Sequence, residues 1–325
     1  MSNSTAIAVA HPNIAFIKYW GNRDSQLRIP ANSSLSMNLA GLETRTQVTF
    51  SDVLDNDCLS VNGESVPAEG MARASQVLDL VREMAGLDCF AEVSSQNNFP
   101  TGAGIASSAS AFAALSLAAS TAAGLKLDEC QLSRLARRGS GSACRSIPTG
   151  FVEWQAGTDH ESSYAYSIAP PEHWDLVDCI AITSEVHKPT TSSEGHKLAP
   201  TSELQSARLS GVHARLERCR KAIFERDFDN FAMTVELDSD LMHAVMMTST
   251  PPLLYWQPAT IAIMREVRSW RKSGLDVCYT IDAGPNVHVL CLGGSASQVC
   301  ELLSQIPGVT QVLSARPGGP AHLEA

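Results

Sequence analysis

The chain has 325 residues, of which 44% are hydrophobic and 18% are charged, a balance typical of a globular protein. This length is too great for one compact core and predicts two lobes. The 24 Lys and Arg residues are outnumbered by 34 Asp and Glu residues, which gives a formal net charge of −10. The acidic balance excludes a nucleic-acid-binding protein, because phosphate binding over a wide surface needs an excess of cations. It is compatible with a small anionic substrate, since a few local cations reverse the field inside a cleft.

Three further features favour a cytoplasmic location. No apolar run is long enough to span a bilayer, and residues 1–9 lack the basic stretch and hydrophobic core of a signal peptide. The nine Cys residues are scattered, without a C-x-x-C pair or the spacing of metal ligands. We therefore expect reduced, mostly buried thiols, no metal held by a cluster of side chains and no membrane partner.

Hydrophobic patterning predicts the following elements in chain order. Strands are expected at residues 45–50, 90–95, 151–155, 176–183, 277–281 and 287–292. Helices are expected at residues 72–84, 103–123, 132–138, 202–224 and 258–272. Groups of strands separated by helices favour the α+β class.

Two polar segments interrupt this pattern. Residues 185–202 contain Ser, Thr, Pro and Gly without an apolar period, so we place the lobe boundary there. The predicted lobes are residues 1–183 and 184–325. The tail at residues 316–325 includes Pro317, Gly318, Gly319 and Pro320, and it is predicted to be poorly ordered.

A glycine-rich segment at residues 100–110 follows a predicted strand and opens a predicted helix. Small residues let the backbone approach a ligand, and the free N–H groups of a helix start attract phosphate. The segment is neither a Walker loop nor a G-x-G-x-x-G motif, and a tightly packed Ala/Ser helix is the alternative. The candidate phosphate-binding residues are Gly102, Ala103, Gly104, Ile105, Ala106, Ser107 and Ser108. The serine hydroxyls are also candidates for contact with a phosphate-bound Mg²⁺.

A second segment, residues 139–146, alternates Gly and Ser before Arg145. Backbone N–H groups, the hydroxyls of Ser140 and Ser142 and a planar guanidinium together form an anion cradle. The alternative is a flexible linker, but Arg137 and Arg138 cluster with Arg145 in an otherwise acidic protein, which favours the cradle.

Two charged residues follow apolar runs. Asp282 comes directly after the predicted strand ending at Ile281 and precedes Gly284-Pro285, so it is placed to enter a cleft; the alternative is a simple turn aspartate. Lys18 follows the apolar stretch 14–17 and precedes Tyr19 and Trp20. It is either a functional cation or a solvated edge residue.

Taken in order, these segments resemble the mevalonate diphosphate decarboxylase family of the GHMP kinase superfamily. The similarity covers residues 13–21 and 29–36, the phosphate loop at 100–110 and the cradle at 139–146. It continues through residues 242–245, Pro251, Pro252 and Tyr255 to residues 282–287. Several motifs in one order are more specific than any one of them.

The resemblance implies a two-lobed GHMP kinase fold, with an N-terminal lobe of ribosomal-S5 type and a C-terminal α/β lobe. It implies ATP on the Gly104 loop, Mg²⁺, a phosphorylated mevalonate between the lobes, and a homodimer. The implied reaction phosphorylates the C3 hydroxyl and then loses phosphate and CO₂ to leave an alkene. Asp282, Lys18 and Arg145 match the catalytic aspartate, the lysine beside it and the arginine that binds the C1 carboxylate. The implied substrate-binding residues are Asn13, Tyr19, Asn22, Ser140, Ser142, Arg145, Ser192 and His196.

Two departures from the family bear on the substrate. Family members that act on the diphosphate usually carry Lys where this chain has Asn22. Ser193 and Glu194 stand where bacterial members can have a cation. Both changes predict a substrate with less phosphate charge, 5-phosphomevalonate, with 5-diphosphomevalonate as the alternative. Cations that could replace the missing lysine are Arg23, Lys188, Lys197 and His196. The same motifs are also compatible with a kinase that stops after C3 phosphorylation and with an inactive binding relative.

Overall fold

The computed structural model describes residues 4–99, 107–184 and 191–324. Its strands are β1 (Ser4–Ala10), β2 (Asn13–Ile17), β3 (Asn22–Asp24), β4 (Ile29–Pro30), β5 (Ser34–Asn38), β6 (Thr44–Ser51), β7 (Cys58–Val61), β8 (Glu64–Ser65), β9 (Phe90–Asn97), β10 (Phe151–Trp154), β11 (Ala165–Ala169), β12 (Leu176–Ile182), β13 (Val277–Thr280), β14 (Val287–Leu292), β15 (Gln311–Ala315) and β16 (His322–Leu323). Its helices are α1 (Ala68–Ala85), α2 (Ser107–Ala122), α3 (Glu129–Gly139), α4 (Ser192–Leu198), α5 (Gln205–Ser210), α6 (Val212–Glu225), α7 (Phe228–Met247), α8 (Pro258–Lys272) and α9 (Ala296–Ser304).

The first sheet has the strand order β16-β1-β6-β9-β7-β8. In β6 and β9 nearly every second side chain is buried, as expected for strands with one face on a core. Helices α1 and α2 cover that face, where Val48, Val77, Val81, Val93 and Leu115 belong to one apolar cluster. Helix α2 thereby packs against the first sheet.

A second sheet, β11-β10-β5-β2, and a third, β13-β14-β12-β15, share one core. Phe16 on β2 packs edge-on against Phe231 of α7, with ring centroids 4.9 Å apart. Ile180 and Leu290 extend the same cluster to the third sheet, whose other face is covered by α8 and α9. The ends of β2 and β13 are thereby brought to the same cleft.

All the predicted strands are present, with bounds that shift by at most two residues. The predicted helices are also present, with one correction; of the helix expected at residues 103–123, residues 103–106 lie outside the described residues. The single helix expected over residues 202–224 is interrupted at Gly211, which separates α5 from α6. A Cβ on Gly211 would lie 2.7 Å from a guanidinium nitrogen of Arg215, so glycine makes room for that side chain. Helices α4, α7 and α9 are additions that the sequence pattern does not predict.

The expectation of a poorly ordered tail is wrong. Strand β16 pairs with β1, and the N–H of Gly318 donates to the carbonyl of Asn38 at 2.8 Å. A Cβ on Gly318 would lie 2.9 Å from the backbone nitrogen of Ala40, so glycine permits this close approach. The tail therefore packs tightly against the first half of the chain. Among the described residues, no helix has the length and apolar character needed to cross a membrane.

Candidate active site

A cleft of about 320 Å³ lies where the end of β2, the start of α2, the turn after α3, helix α4 and the end of β13 meet. It brings together most of the residues singled out from the sequence. The lining residues include Lys18, Tyr19, Ser107, Ser108, Ser140, Ser142, Arg145, Ser192, His196 and Asp282.

Lys18 and Asp282 form the centre of this cleft. The lysine Nζ lies 2.6 Å from Oδ1 of Asp282, and the lysine side chain is only 1% exposed, whereas that of Asp282 is 28% exposed. Burial lowers the pKa of Lys18, although the charges of Asp282 and Asp238 oppose this shift. Burial alone would raise the pKa of Asp282, but the charges of Lys18, His288 and Arg145 outweigh it and hold the pKa below its ordinary value. Asp282 therefore presents an ionised carboxylate to the cleft.

The backbone of Lys18 is held from both sides by buried groups that sequence reasoning missed. Its N–H donates to Oδ2 of Asp238 at 2.6 Å, and its carbonyl accepts from Arg208 at 2.8 Å and from Asn32 at 2.9 Å. Arg215 donates to the other oxygen of Asp238 at 2.7 Å. This network ties the end of β2 to helices α5, α6 and α7 and fixes the point from which the Lys18 side chain extends.

Arg145 is buried in the short 3₁₀ turn Gly141–Ser146. Its Nε donates to Oδ1 of Asn13 at 3.1 Å and its Nη1 donates to the hydroxyl of Ser34 at 2.7 Å. Among the described residues, Nη2 makes no hydrogen bond, so one edge of the guanidinium is left for an anion. Burial lowers the pKa of Arg145. Asn13, predicted to bind substrate, is not among the lining residues and instead orients Arg145.

The serine-rich turn packs against Tyr19. A Cβ on Gly141 would lie 2.6 Å from the Tyr19 ring, so only glycine fits beneath it. Ser140 and Ser108 place their hydroxyl oxygens 3.2 Å apart, which joins the cradle to the start of α2. The hydroxyl of Tyr19 donates to Oδ1 of Asn22 at 2.5 Å. Asn22 is thus occupied with Tyr19 and is not among the residues that line the cleft.

Helix α4 lies within the polar segment for which the sequence predicts no helix. Thr191 and Glu194 form a capping box at its start, which explains how so short and polar a stretch is helical. His196 accepts a hydrogen bond from the N–H of Gly21 at 2.9 Å and stacks on Tyr19 with ring centroids 4.1 Å apart. The carboxylate of Glu194 is bound to Thr191 and is not among the lining groups. Its neighbours Ser192 and Ser193 do line the cleft, and the effect of the Glu194 charge on substrate phosphate stays a prediction.

The predicted phosphate loop is described only in part. Ser107 and Ser108 begin α2 and line the cleft, while Gly102, Ala103, Gly104, Ile105 and Ala106 lie outside the described residues, as does Lys188. Of the remaining cations considered as replacements for a lysine, Lys197 is exposed on α4, and Arg23 is exposed and donates to the carbonyl of Gly157.

Two arginines that sequence reasoning did not select also line the cleft. Arg28 donates from Nε to the carbonyl of Arg138, and Arg73 donates from Nε to the carbonyl of Gly139, both at 2.9 Å. Arg73 also lies over the ring of Phe112, 4.6 Å from its centroid. Two guanidinium groups are thus anchored on neighbouring carbonyls beside the serine-rich turn.

The side-chain oxygen atoms in the cleft are suitable ligands for a phosphate-bound Mg²⁺. In the ranges that the structure describes, no group of three or more His, Cys, Asp or Glu side chains could hold a metal by itself. Mg²⁺ is usually bound through one or two protein groups together with substrate phosphates. The side-chain oxygens of Ser107, Ser108 and Asp282, which line the same cleft, are protein groups that could bind Mg²⁺ in this way.

Comparison with known proteins agrees with this geometry. Residues 10–165 match the model of the diphosphomevalonate decarboxylase-like N-terminal domain, and residues 179–318 match that of the mevalonate 5-diphosphate decarboxylase C-terminal domain. The chain belongs to the diphosphomevalonate decarboxylase family. The α+β class and the GHMP kinase fold are thereby confirmed, while the exact lobe boundary at residue 184 stays a prediction.

Relatives within this family carry two different names. The chain is 37% identical to a diphosphomevalonate decarboxylase of Candida albicans, over 94% of this chain and 90% of the relative. It is 34% identical to a phosphomevalonate decarboxylase of Haloferax volcanii, over 98% of this chain and 97% of the relative. The solved complex of the protein called MDDEF with MVAPP, AMPPCP and magnesium superimposes with a TM-score of 0.94 at 37% identity, covering 99% of each chain. The relatives share the name of decarboxylase and differ in the phosphate count of the substrate.

Proposed function

We propose that this chain is an ATP- and Mg²⁺-dependent decarboxylase that converts 5-phosphomevalonate to isopentenyl phosphate, ADP, phosphate and CO₂. The observation that carries the reaction class is the convergence of Lys18, Asp282 and Arg145 on one cleft. The Asp282 carboxylate, paired with Lys18, suits the hydroxyl of a 3-hydroxy acid. The partly free guanidinium of Arg145 suits its carboxylate.

Each side chain has a separate task in this reaction. When bound, ATP supplies the phosphoryl group and Mg²⁺ neutralises phosphate charge. Arg145 binds the C1 carboxylate and fixes the acid in one orientation. Asp282, kept ionised by Lys18, orients the C3 hydroxyl or accepts its proton.

Elimination then follows from the same arrangement. The C3–O bond breaks and phosphate leaves with its electron pair, while the bond between C2 and the carboxylate breaks and its electron pair forms the alkene. Positive character develops at C3 as phosphate departs, and the nearby Asp282 carboxylate stabilises it. A tertiary alcohol is a poor nucleophile, so positioning contributes more than basicity.

The choice of the monophosphate rests on Asn22. Its amide is neutral and its Oδ1 is already occupied by the Tyr19 hydroxyl, so this position adds no charge for a second phosphate. The Haloferax volcanii relative, at 34% identity, carries the name that fits this choice, whereas the Candida albicans relative, at 37% identity, carries the name of the alternative.

The second candidate is 5-diphosphomevalonate. It is favoured by the two guanidinium groups of Arg28 and Arg73, which line the cleft and add positive charge near Ser140. Paired measurements of kcat/KM for the two substrates, at one ionic strength, distinguish the candidates. We expect the higher value for the monophosphate, and a higher value for the diphosphate would reverse the assignment.

Assembly and location stay predictions. The homodimer and the cytoplasmic location follow from the family resemblance and from the sequence. Sedimentation velocity of the purified protein across a range of concentrations tests the first, and fractionation of the source cells tests the second.

A further inference from the structure

Arg28 occupies an unusual position in the hairpin formed by β3 and β4. Its backbone is left-handed, with φ of 53°, a conformation that residues other than glycine rarely adopt. The carboxylate of the same hairpin, Asp24, accepts the N–H of Leu27 at 2.7 Å and so shapes the turn. The turn directs the arginine toward the cleft, which its side chain lines.

The guanidinium of Arg28 is fixed at one edge and open at the other. Its Nε donates to the carbonyl of Arg138 at 2.9 Å. Among the side chains that the structure describes, no carboxylate pairs with it and its two terminal nitrogens make no hydrogen bond. An arginine held in this way presents two parallel donors, the arrangement that suits an oxyanion such as phosphate.

The surroundings of Arg28 also favour an anionic ligand. Burial lowers its pKa, and the charge of Arg138 acts in the same direction. The neighbouring Tyr19 has a pKa that burial raises, so its hydroxyl stays neutral. A half-buried cation without a carboxylate partner is stabilised when an anion enters beside it.

We propose that Arg28 binds the 5-phosphoryl group of the substrate and determines the affinity for the phosphorylated end. This inference rests on the proposed function for the identity of the ligand. Arg145 binds the carboxylate end, so the two arginines bind opposite ends of the same molecule. Arg73, anchored on the adjacent carbonyl, adds charge to the Arg28 end.

Binding without turnover gives the sharpest test. Titration calorimetry in the absence of ATP would compare 5-phosphomevalonate with mevalonate, the same acid without the phosphate. For Arg28→Gln we expect Kd for 5-phosphomevalonate to rise by about tenfold or more, as for loss of a charge-assisted contact. Kd for mevalonate should change less than about twofold, since that ligand offers Arg28 no phosphate.

Kinetics and two further variants complete the test. Arg28→Gln should raise KM for 5-phosphomevalonate while kcat at saturation stays close to wild type. Arg28→Lys should recover part of the affinity, because it restores charge but not the planar pair of donors. Arg218→Gln removes the same charge from the exposed face of α6 and should change neither ligand's Kd.

Equal losses for both ligands would show a merely structural effect and overturn the proposal, as would an unchanged Kd for 5-phosphomevalonate. Failure of the proposed function is recognised separately. A wild-type protein that releases no CO₂ from either phosphorylated mevalonate is not this decarboxylase, whatever Arg28 binds.

Discussion

The backbone N–H of Lys18 donates to Asp238 at 2.6 Å, and this buried contact sets the position of the lysine that holds Asp282. Asp238 lies on α7 between the guanidinium groups of Arg208 and Arg215. The Lys18–Asp282 pair therefore depends on a buried charge network whose side chains are not among the residues that line the cleft.

Replacing Asp238 should cost stability. Asp238→Asn leaves Arg208 and Arg215 without their buried carboxylate, and breaking such a pair lowers the free energy of unfolding by about 3–5 kcal/mol. Urea unfolding measures the change. Asp276→Asn, an exposed position, is the control and should lie within about 0.5 kcal/mol of wild type. Equal unfolding midpoints for the two variants would mean that the buried charge network does not stabilise the fold.

Asp282→Asn should nearly abolish turnover. The amide keeps the shape of the side chain but lacks the charge that orients the C3 hydroxyl and stabilises the developing cation. We expect kcat below about a tenth of wild type, with ATP and substrate still bound in calorimetry. A variant that keeps more than that would remove Asp282 from the reaction.

The pH dependence tests the pairing of Lys18 with Asp282. The pKa of Asp282 is held below its ordinary value of 3.8, so its carboxylate is ionised in the wild type throughout the neutral range. Activity supported by this carboxylate is present above the folded-state pKa and is lost as pH falls through it. Burial raises the pKa of Asp282 and the charge of Lys18 lowers it, so removing that charge in Lys18→Met should raise the pKa of Asp282. The acid limb of kcat should move to higher pH than in wild type, and an unmoved limb would contradict the pairing.

Arg145→Lys tests the carboxylate contact. An ammonium cannot donate to Asn13 and Ser34 and also bind a carboxylate through a planar edge. We expect kcat/KM for the intact substrate to fall by at least about tenfold, from the loss of a charge-assisted contact. Steady-state kinetics measure it. Equal kcat/KM values for variant and wild type would exclude the carboxylate contact.

Asn22→Lys should favour the diphosphate. A lysine adds a cation near Tyr19, and a partly solvated charge-assisted contact of about 1.5 kcal/mol gives roughly a tenfold gain in kcat/KM for 5-diphosphomevalonate. The monophosphate should gain much less. The variant also removes the acceptor of the Tyr19 hydroxyl, so Asn22→Gln, which keeps an amide, is the matched control. A similar gain for both substrates would mean that residue 22 does not determine the preferred phosphate count.

Sequence reasoning found those parts of the site that carry a local signal. Asp282 and Lys18 each follow an apolar strand, and Arg145 follows a Gly-Ser turn, so each could be selected before any contact was known. Helix α7 was missed because buried polar residues interrupt its apolar period: Glu236, Asp238, Ser239 and His243 are all buried. Their burial is compensated by partners in distant elements, which periodicity does not register.

Arg28 was missed for a different reason. Its anchor is the carbonyl of Arg138, 110 residues further along the chain, and nothing near position 28 indicates that contact. The ordered tail likewise depends on close approach to Asn38 and Ala40. Local composition predicts neither the position of Arg28 nor the order of the tail, because both depend on contacts between distant parts of the chain.

The proposed reaction of this cleft is the decarboxylation of 5-phosphomevalonate. The most direct measurement is mass analysis of the products formed by the purified protein from 5-phosphomevalonate, ATP and Mg²⁺, with CO₂ and ADP quantified together. We expect isopentenyl phosphate, with one CO₂ and one ADP for each substrate molecule consumed. Accumulation of a C3-phosphorylated acid without CO₂, or turnover of the diphosphate alone, would contradict the proposed reaction.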